Sequence, residues 1–93
     1  MMKQMEKFKI DSWSDYWLIF DKLIDLLKAE NKDIIVLDFM DAKKFINGLT
    51  DGWYEFKFAM EKTINSNRQR MSAEQIKIAE FLLTTLNKSL SNR

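Results

Sequence analysis

Paired aspartates are the residues of this chain whose type and spacing could most readily do chemistry. Asp21 and Asp25 are four positions apart, and Asp38 and Asp41 are three apart. On a helix either spacing places both carboxylates on one face, where they could bind a divalent cation or share a proton. Bundles that bind two metal ions use inward-facing Glu-x-x-His motifs, and this chain has no histidine. We therefore expect a solvated acidic face, with no metal site and no cofactor.

Other catalytic groups are scarce. The absence of histidine removes the commonest general base and the commonest zinc ligand, and the absence of cysteine removes thiol catalysis. The serines Ser12, Ser14 and Ser72 have no neighbouring base to activate them, so we interpret them as helix caps. The sequence predicts that the protein is not an enzyme and has no catalytic residue.

Charge is unevenly distributed along the chain, although the net charge is only +1. Eight acidic residues stand against three lysines from Asp11 to Asp41, and seven basic residues stand against three acidic ones from Lys57 to Arg93. Helices within one bundle could attract each other through these charges. Alternatively, the acidic half could present a face to a basic partner. The candidate partner-binding residues on that face are Asp21, Asp25, Asp38 and Asp41.

Nucleic-acid binding is an alternative function that depends on Arg68 and Arg70. Lys57, Lys62 and Lys77 could add to them and neutralise a few phosphates. Acidic residues lie among these cations, and no basic recognition helix is evident. We therefore keep a nucleic-acid-associated accessory protein as the second interpretation.

The stretch from Phe45 to Phe56 holds both glycines of a chain without proline. Gly48 could end one helix in the left-handed conformation, and Thr50 or Asp51 could cap the next helix. A rival interpretation is one continuous central helix, if Gly48 does not break it. Its unbroken heptad seam would be Ile35, Phe39, Ala42, Ile46, Leu49, Trp53, Phe56 and Met60.

The first two helices follow from local signals. Helix 1 begins at the cap Ser12 and ends near Glu30, where Asn31 can adopt the left-handed conformation. Its expected core stripe is Trp13, Trp17, Phe20, Ile24 and Leu27, with Tyr16 and Leu23 on the flank. Helix 2 begins at the cap Asp33 and carries Asp38 and Asp41 on its outer face. The β-branched run Ile34–Val36 also permits a strand from Asp33 to Phe39.

The second half of the chain predicts two more helices. Helix 3 runs from about Asp51 to Asn65, and Tyr54 and Phe58 form a second apolar stripe that could serve a partner. The polar residues Asn65–Arg70 predict a loop. Helix 4 begins with the capping box Ser72-Ala73-Glu74-Gln75, with Met71 as a hydrophobic staple. Its expected stripe is Ile76, Ala79, Leu82 or Leu83, Leu86 and Leu90, widened by Ile78 and Phe81.

These elements predict one all-α domain spanning residues 1–93, a small antiparallel four-helix bundle with residues 1–10 as a tail or short helical turn. Charges interrupt every apolar run well before about 20 residues, so no membrane span is expected. No secretory signal is evident, and we expect a cytoplasmic protein.

The segments Leu26–Lys32 and Ala42–Trp53 give the chain a capped helix followed by a glycine-containing centre. In size, helix order and this centre the chain resembles small uncharacterised all-helical bacterial proteins, some of which are similar to immunity proteins that neutralise a toxin by binding it. The resemblance implies non-catalytic binding of another protein, as an inhibitor or immunity-type protein. A purely structural homodimer that covers Tyr54 and Phe58 is a further alternative.

Overall fold

A computed structural model of the chain describes residues 12–46 and 50–91. The described residues form four α-helices and one 3₁₀ turn, and they include no strand. The all-α prediction is thus confirmed, and the β-branched run Ile34–Val36 lies within a helix. The elements are α1 (Trp13–Ala29), α2 (Asp33–Lys43), α3 (Thr50–Asn67), the 3₁₀ turn Arg68–Arg70 and α4 (Ala73–Ser91).

Helix α1 begins and ends as its local sequence predicts. The Ser12 hydroxyl accepts a hydrogen bond of 3.3 Å from the Asp15 backbone N–H, which satisfies one of the free donors of the first turn. At the other end Asn31 has a φ of 60°, in the left-handed region that asparagine tolerates better than most residues. The predicted cap and the predicted end of helix 1 are both confirmed.

The turn after α1 also explains where α2 begins. The Asn31 N–H donates to the Lys28 carbonyl and the Lys32 N–H donates to the Leu27 carbonyl, each over 3.0 Å, which is the Schellman arrangement. Helix α2 follows immediately, with Lys32 as its N-cap residue and no side-chain cap. The prediction that Asp33 caps this helix is wrong, because Asp33 is already its first helical residue.

The centre of the chain is broken, as the glycine-containing stretch predicts. Helix α2 ends at Lys43, where the Lys44 N–H donates to the Asp41 carbonyl and the Phe45 N–H donates to the Ala42 carbonyl. Hydrogen bonds between residues three positions apart are typical of the final turn of a helix that does not continue. A continuous central helix is therefore wrong. Gly48, the side chains of Thr50 and Asp51 and the tail of residues 1–10 lie outside what the structure describes.

The segment between α3 and α4 is helical, so the predicted loop over Asn65–Arg70 is wrong. Helix α3 continues to Asn67, and the 3₁₀ turn follows at once. Asn67 is buried, and its side-chain amide donates 2.9 Å to the Thr63 carbonyl. This burial stabilises a turn that polar composition alone does not reveal.

The capping box of α4 is confirmed by two reciprocal hydrogen bonds. The Gln75 N–H donates 3.1 Å to the Ser72 hydroxyl, and the Ser72 N–H donates 2.9 Å to the Gln75 side-chain oxygen. Each bond satisfies a donor that the helix itself leaves free.

Contacts between helices show an antiparallel bundle. Tyr16, early in α1, donates to the carbonyl of Leu82, in the middle of α4, whereas Gln75, early in α4, donates to the carbonyl of Leu26, late in α1. Each helix packs on its neighbours along the chain, and α1 also packs on α4. No helix in the described part of the chain is both long and apolar enough to cross a membrane.

The core is aromatic at the end where α1 begins. Tyr16, Phe20, Phe39 and Phe56 are fully buried there, and Trp17 contacts Phe56 with ring centroids 5.6 Å apart. Aromatic pairs at such distances add stabilisation beyond the area they bury.

Two predicted core stripes are shifted in the structure. In α1 Tyr16 is fully buried, while Trp13 is exposed and rests against Trp53 with centroids 4.4 Å apart. In α4 Ile78 is fully buried and Ile76 only partly. The buried side chain of Gln75 accepts a hydrogen bond from Lys32 in the α1–α2 turn, and this bond fixes which side of α4 faces the core. A count of apolar spacing does not detect a polar residue at a core position.

Candidate functional site

The two aspartate pairs lie in different environments. Asp21 and Asp25 are both exposed on α1. Asp41 is exposed on α2 and forms an ion pair of 3.2 Å with Lys44. Asp38 is half-buried and accepts a hydrogen bond of 3.1 Å from the Asn67 side chain, so the prediction that it lies on the outer face is wrong. Its carboxylate joins α2 to α3.

Among the described residues, no group of three or more aspartate, glutamate, histidine or cysteine side chains could hold a metal ion. The role of the four aspartates in contact with a partner stays a prediction.

Two adjoining grooves run between α2 and α3. The first lies beside Asp38 and Asp41, and the second lies beside Phe58. Phe45 and Lys62 line both grooves, so the grooves form one continuous surface. Helical spacing continues this surface toward the start of α2, where Leu37 lies one turn before Asp41 and Ile34 one turn before Leu37. Ile34 also lines a separate groove at the α1–α2 turn. We call this surface the α2–α3 face and define it by Ile34, Leu37, Asp41, Phe45, Phe58 and Lys62.

Large apolar side chains are exposed along the α2–α3 face. Ile34 is 67% exposed, Leu37 61% and Phe58 59%, although each could have been polar without loss to the core. On the inner side of the same helices Phe39 and Phe56 are fully buried. Helices with two apolar sides either lie centrally in a protein or use the second side for a partner.

Charges border the face on both walls. Asp41 belongs to the α2 wall and Lys62 to the α3 wall of the same groove. Among the described residues, Lys62 forms no ion pair. The two grooves are therefore bordered by three carboxylates, those of Asp38, Asp41 and Glu55, and by the Lys62 ammonium, and charged edges around an apolar centre resemble the anatomy of protein–protein interfaces.

The aromatic pair Tyr54 and Phe58 is exposed on α3, one turn apart. Phe58 belongs to the α2–α3 face, and the Lys57 ammonium lies 4.9 Å from its ring centroid. Tyr54 is a helical neighbour of Phe58 but does not line the grooves. Their role in partner binding stays a prediction.

Arg68 and Arg70, the candidate nucleic-acid residues, both have partners within the chain. Arg68 forms an ion pair of 2.7 Å with Glu80 and also donates to Asn65. Arg70 donates to the side-chain oxygen of the buried Asn67. Contact with a phosphate would have to compete with these bonds.

A polar cluster ties the α1–α2 turn to the start of α4. The Lys32 ammonium lies 2.7 Å from Glu30 and donates 3.0 Å to the Gln75 side chain. The hydrogen bond from Lys32, followed by one from Gln75, lowers the pKa of Glu30 below its usual value. Burial raises the pKa of Tyr16, so its hydroxyl stays a hydrogen-bond donor to the Leu82 carbonyl. These groups are engaged in holding helices together.

Sequence reasoning named Asp38, Asp41 and Phe58, and the structure brings these three to one surface. It does not bring Asp21 and Asp25 to that surface, since they lie on the outer side of α1. Ile34, Leu37 and Phe45 were missed. The sequence of α2 could have indicated two of them. Ile34 and Leu37 are apolar but do not share the helical spacing of the core residues Ile35, Phe39 and Ala42.

Comparison of the chain with models of known protein families, with curated proteins and with solved structures finds no match.

Proposed function

We propose that this protein is a non-catalytic protein-binding domain and that the α2–α3 face is its docking surface. The single observation that carries the proposal is the exposure of three large apolar side chains on α2 and α3, namely Phe58, which lines the groove, and Ile34 and Leu37, which continue the surface along α2. Contiguous apolar surface is unfavourable in water and marks interaction sites in proteins that stay folded alone.

The rigidity of the face supports this role. Helices α2 and α3 are held together by the Asn67–Asp38 hydrogen bond and by buried Phe39 and Phe56. A surface with a fixed backbone loses little conformational freedom on binding, which favours affinity. An inhibitor or immunity-type protein of the cytoplasm, which acts by covering a different protein, is one form of this proposal, and self-association through the same face is the other.

The proposal is tested by placing a photo-crosslinking phenylalanine analogue at Phe58 in the full chain within cells of the native host. We expect irradiation to join the protein to a polypeptide at this position, because Phe58 is 59% exposed and lines a groove of the docking surface. A matched control carries the same analogue at Leu18, which is 67% exposed on the outer side of α1.

The result that supports the proposal is a defined crosslinked protein from Phe58 that Leu18 does not give. Equal or absent crosslinking at the two positions would overturn it. A helical circular dichroism spectrum identical to that of the unmodified chain shows that either analogue leaves the bundle folded.

A further inference from the structure

The two walls of the α2–α3 face are complementary to each other. Asp41 on α2 and Lys62 on α3 line the same groove. Because the two helices are antiparallel and Asn67 bonds to Asp38, Asp41 and Lys62 lie within about one turn of each other along the helices. Phe45 and Phe58 likewise line one groove near the end of α2. At each of these two levels, α3 contributes one member of a favourable pair and the opposite wall, Asp41 of α2 or Phe45 just after its end, contributes the other, acid with base and ring with ring.

Two copies of the chain can form a dimer about a two-fold axis that lies in the interface and is parallel to α2 and α3. Such an axis keeps the level of every residue and exchanges the two walls, so α2 of one copy lies over α3 of the other. Asp41 of each copy then faces Lys62 of its partner, and Phe45 faces Phe58. Each favourable contact occurs twice, as in any isologous interface.

We propose that the occupant of the α2–α3 face is a second copy of this chain, docked about a two-fold axis parallel to α2 and α3. This inference rests on the proposed function and names its partner. It also gives Lys62 a carboxylate partner, which the described part of a single copy does not supply.

The size of the face sets the strength that the dimer should have. Helices of 11 and 18 residues are about 16 and 27 Å long, and two packed helices are roughly 20 Å wide. The face therefore offers on the order of 500 Å² per copy, below the roughly 800 Å² of a standard interface. We expect a reversible dimer with a dissociation constant in the micromolar range.

Charge reversal tests the pairing directly. Sedimentation equilibrium of the full chain at low salt should show the wild type passing from monomer to dimer as its concentration rises. Asp41→Lys and Lys62→Glu, each alone, should weaken the dimer about tenfold or more, because each variant sets like charges opposite each other twice. An equimolar mixture of the two variants should regain the wild-type association, since a mixed dimer places every acid over a base.

Asp25→Lys, an equal change of charge on the exposed side of α1, is the matched control and should leave the association unchanged. A wild type that is monomeric at every concentration would overturn the inference, as would single variants that associate normally or a mixture that does not recover. Crosslinking at Phe58 distinguishes these failures from failure of the proposed function, because a different crosslinked protein would support the docking surface while overturning the self-pairing.

Discussion

Asn67 shows how one buried polar side chain holds the α2–α3 pair. Its amide nitrogen donates to the Asp38 carboxylate and to the Thr63 carbonyl, and its oxygen accepts from Arg70. Every polar atom of the side chain therefore has a partner, which is what burial of an amide requires. Asn67 lies within the polar stretch Asn65–Arg70 that predicts a loop, so its importance depends on contacts that only the folded chain creates.

Replacing Asn67 by alanine should destabilise the bundle. The change leaves the half-buried Asp38 carboxylate without its donor, and loss of a hydrogen bond to a charged group costs about 1–3 kcal/mol. Urea unfolding followed by circular dichroism measures the free energy of unfolding.

Asn65→Ala is the control, because Asn65 is exposed and should change stability by less than about 0.5 kcal/mol. Equal unfolding free energies for the two variants would show that the Asn67 network contributes nothing.

Glu30 provides a second effect at the scale of single residues. Its pKa is lowered by the hydrogen bond from Lys32 and then by that from Gln75. A carboxyl group whose folded pKa lies below its unfolded pKa stabilises the fold above the unfolded pKa, and this stabilisation is lost as the pH falls through the folded pKa. The stabilisation by Glu30 should therefore be present at neutral pH and absent in acid.

We predict that Glu30→Gln lowers stability at pH 7 and that the difference from wild type shrinks as the pH falls below about 4.5. Thermal unfolding between pH 7 and pH 3 measures it. The Lys32→Met background is the control, since it removes the main cause of the shift and should remove most of this pH dependence. A difference that stays constant over the whole range would contradict the assignment.

At the scale of elements, three signals confined to a few neighbouring residues are confirmed, whereas the predicted Asp33 cap is wrong. The Ser12 cap, the left-handed Asn31 and the Ser72–Gln75 capping box each depend on bonds within one turn. The break between α2 and α3 was predicted from the glycine-containing stretch in the same way.

Features that depend on distant contacts were not predicted. The core phase of α4 follows from Gln75, which bonds to Lys32 and Leu26 across the bundle. Asp38 was predicted to lie on the outer face, because the helical spacing of α2 alone cannot show that Asn67 of α3 forms a hydrogen bond with it. The same limit hid part of the candidate site, because the grooves exist only where α2 and α3 pack together.

At the scale of the whole molecule, charge separation persists after folding. Lys32 pairs with Glu30 within the acidic half of the chain, Lys44 pairs with Asp41 at its end, and Arg68 pairs with Glu80 within the basic half. These ion pairs do not join the two halves, so they leave the contrast on the surface. A surface with separated charges orients an approaching partner and makes association depend on salt.

The aromatic core and the apolar exterior are parts of one arrangement. Buried rings such as Phe20, Phe39 and Phe56 fix α1, α2 and α3 against each other, which in turn fixes the positions of Leu37 and Phe58 on the outside. The bundle therefore presents its exposed apolar groups in a constant geometry, as expected of a surface that recognises another protein.

The central claim is that a protein chain covers the α2–α3 face, and thiol labelling tests it most directly. The chain has no cysteine, so Leu37→Cys and Leu18→Cys each introduce a single thiol at sites that are 61% and 67% exposed. In dilute purified protein, the two thiols should react with a maleimide at similar rates. In concentrated extract of the native host, the thiol from Leu37→Cys should react several-fold more slowly and the thiol from Leu18→Cys should not. Equal rates at both positions in the extract would contradict the account.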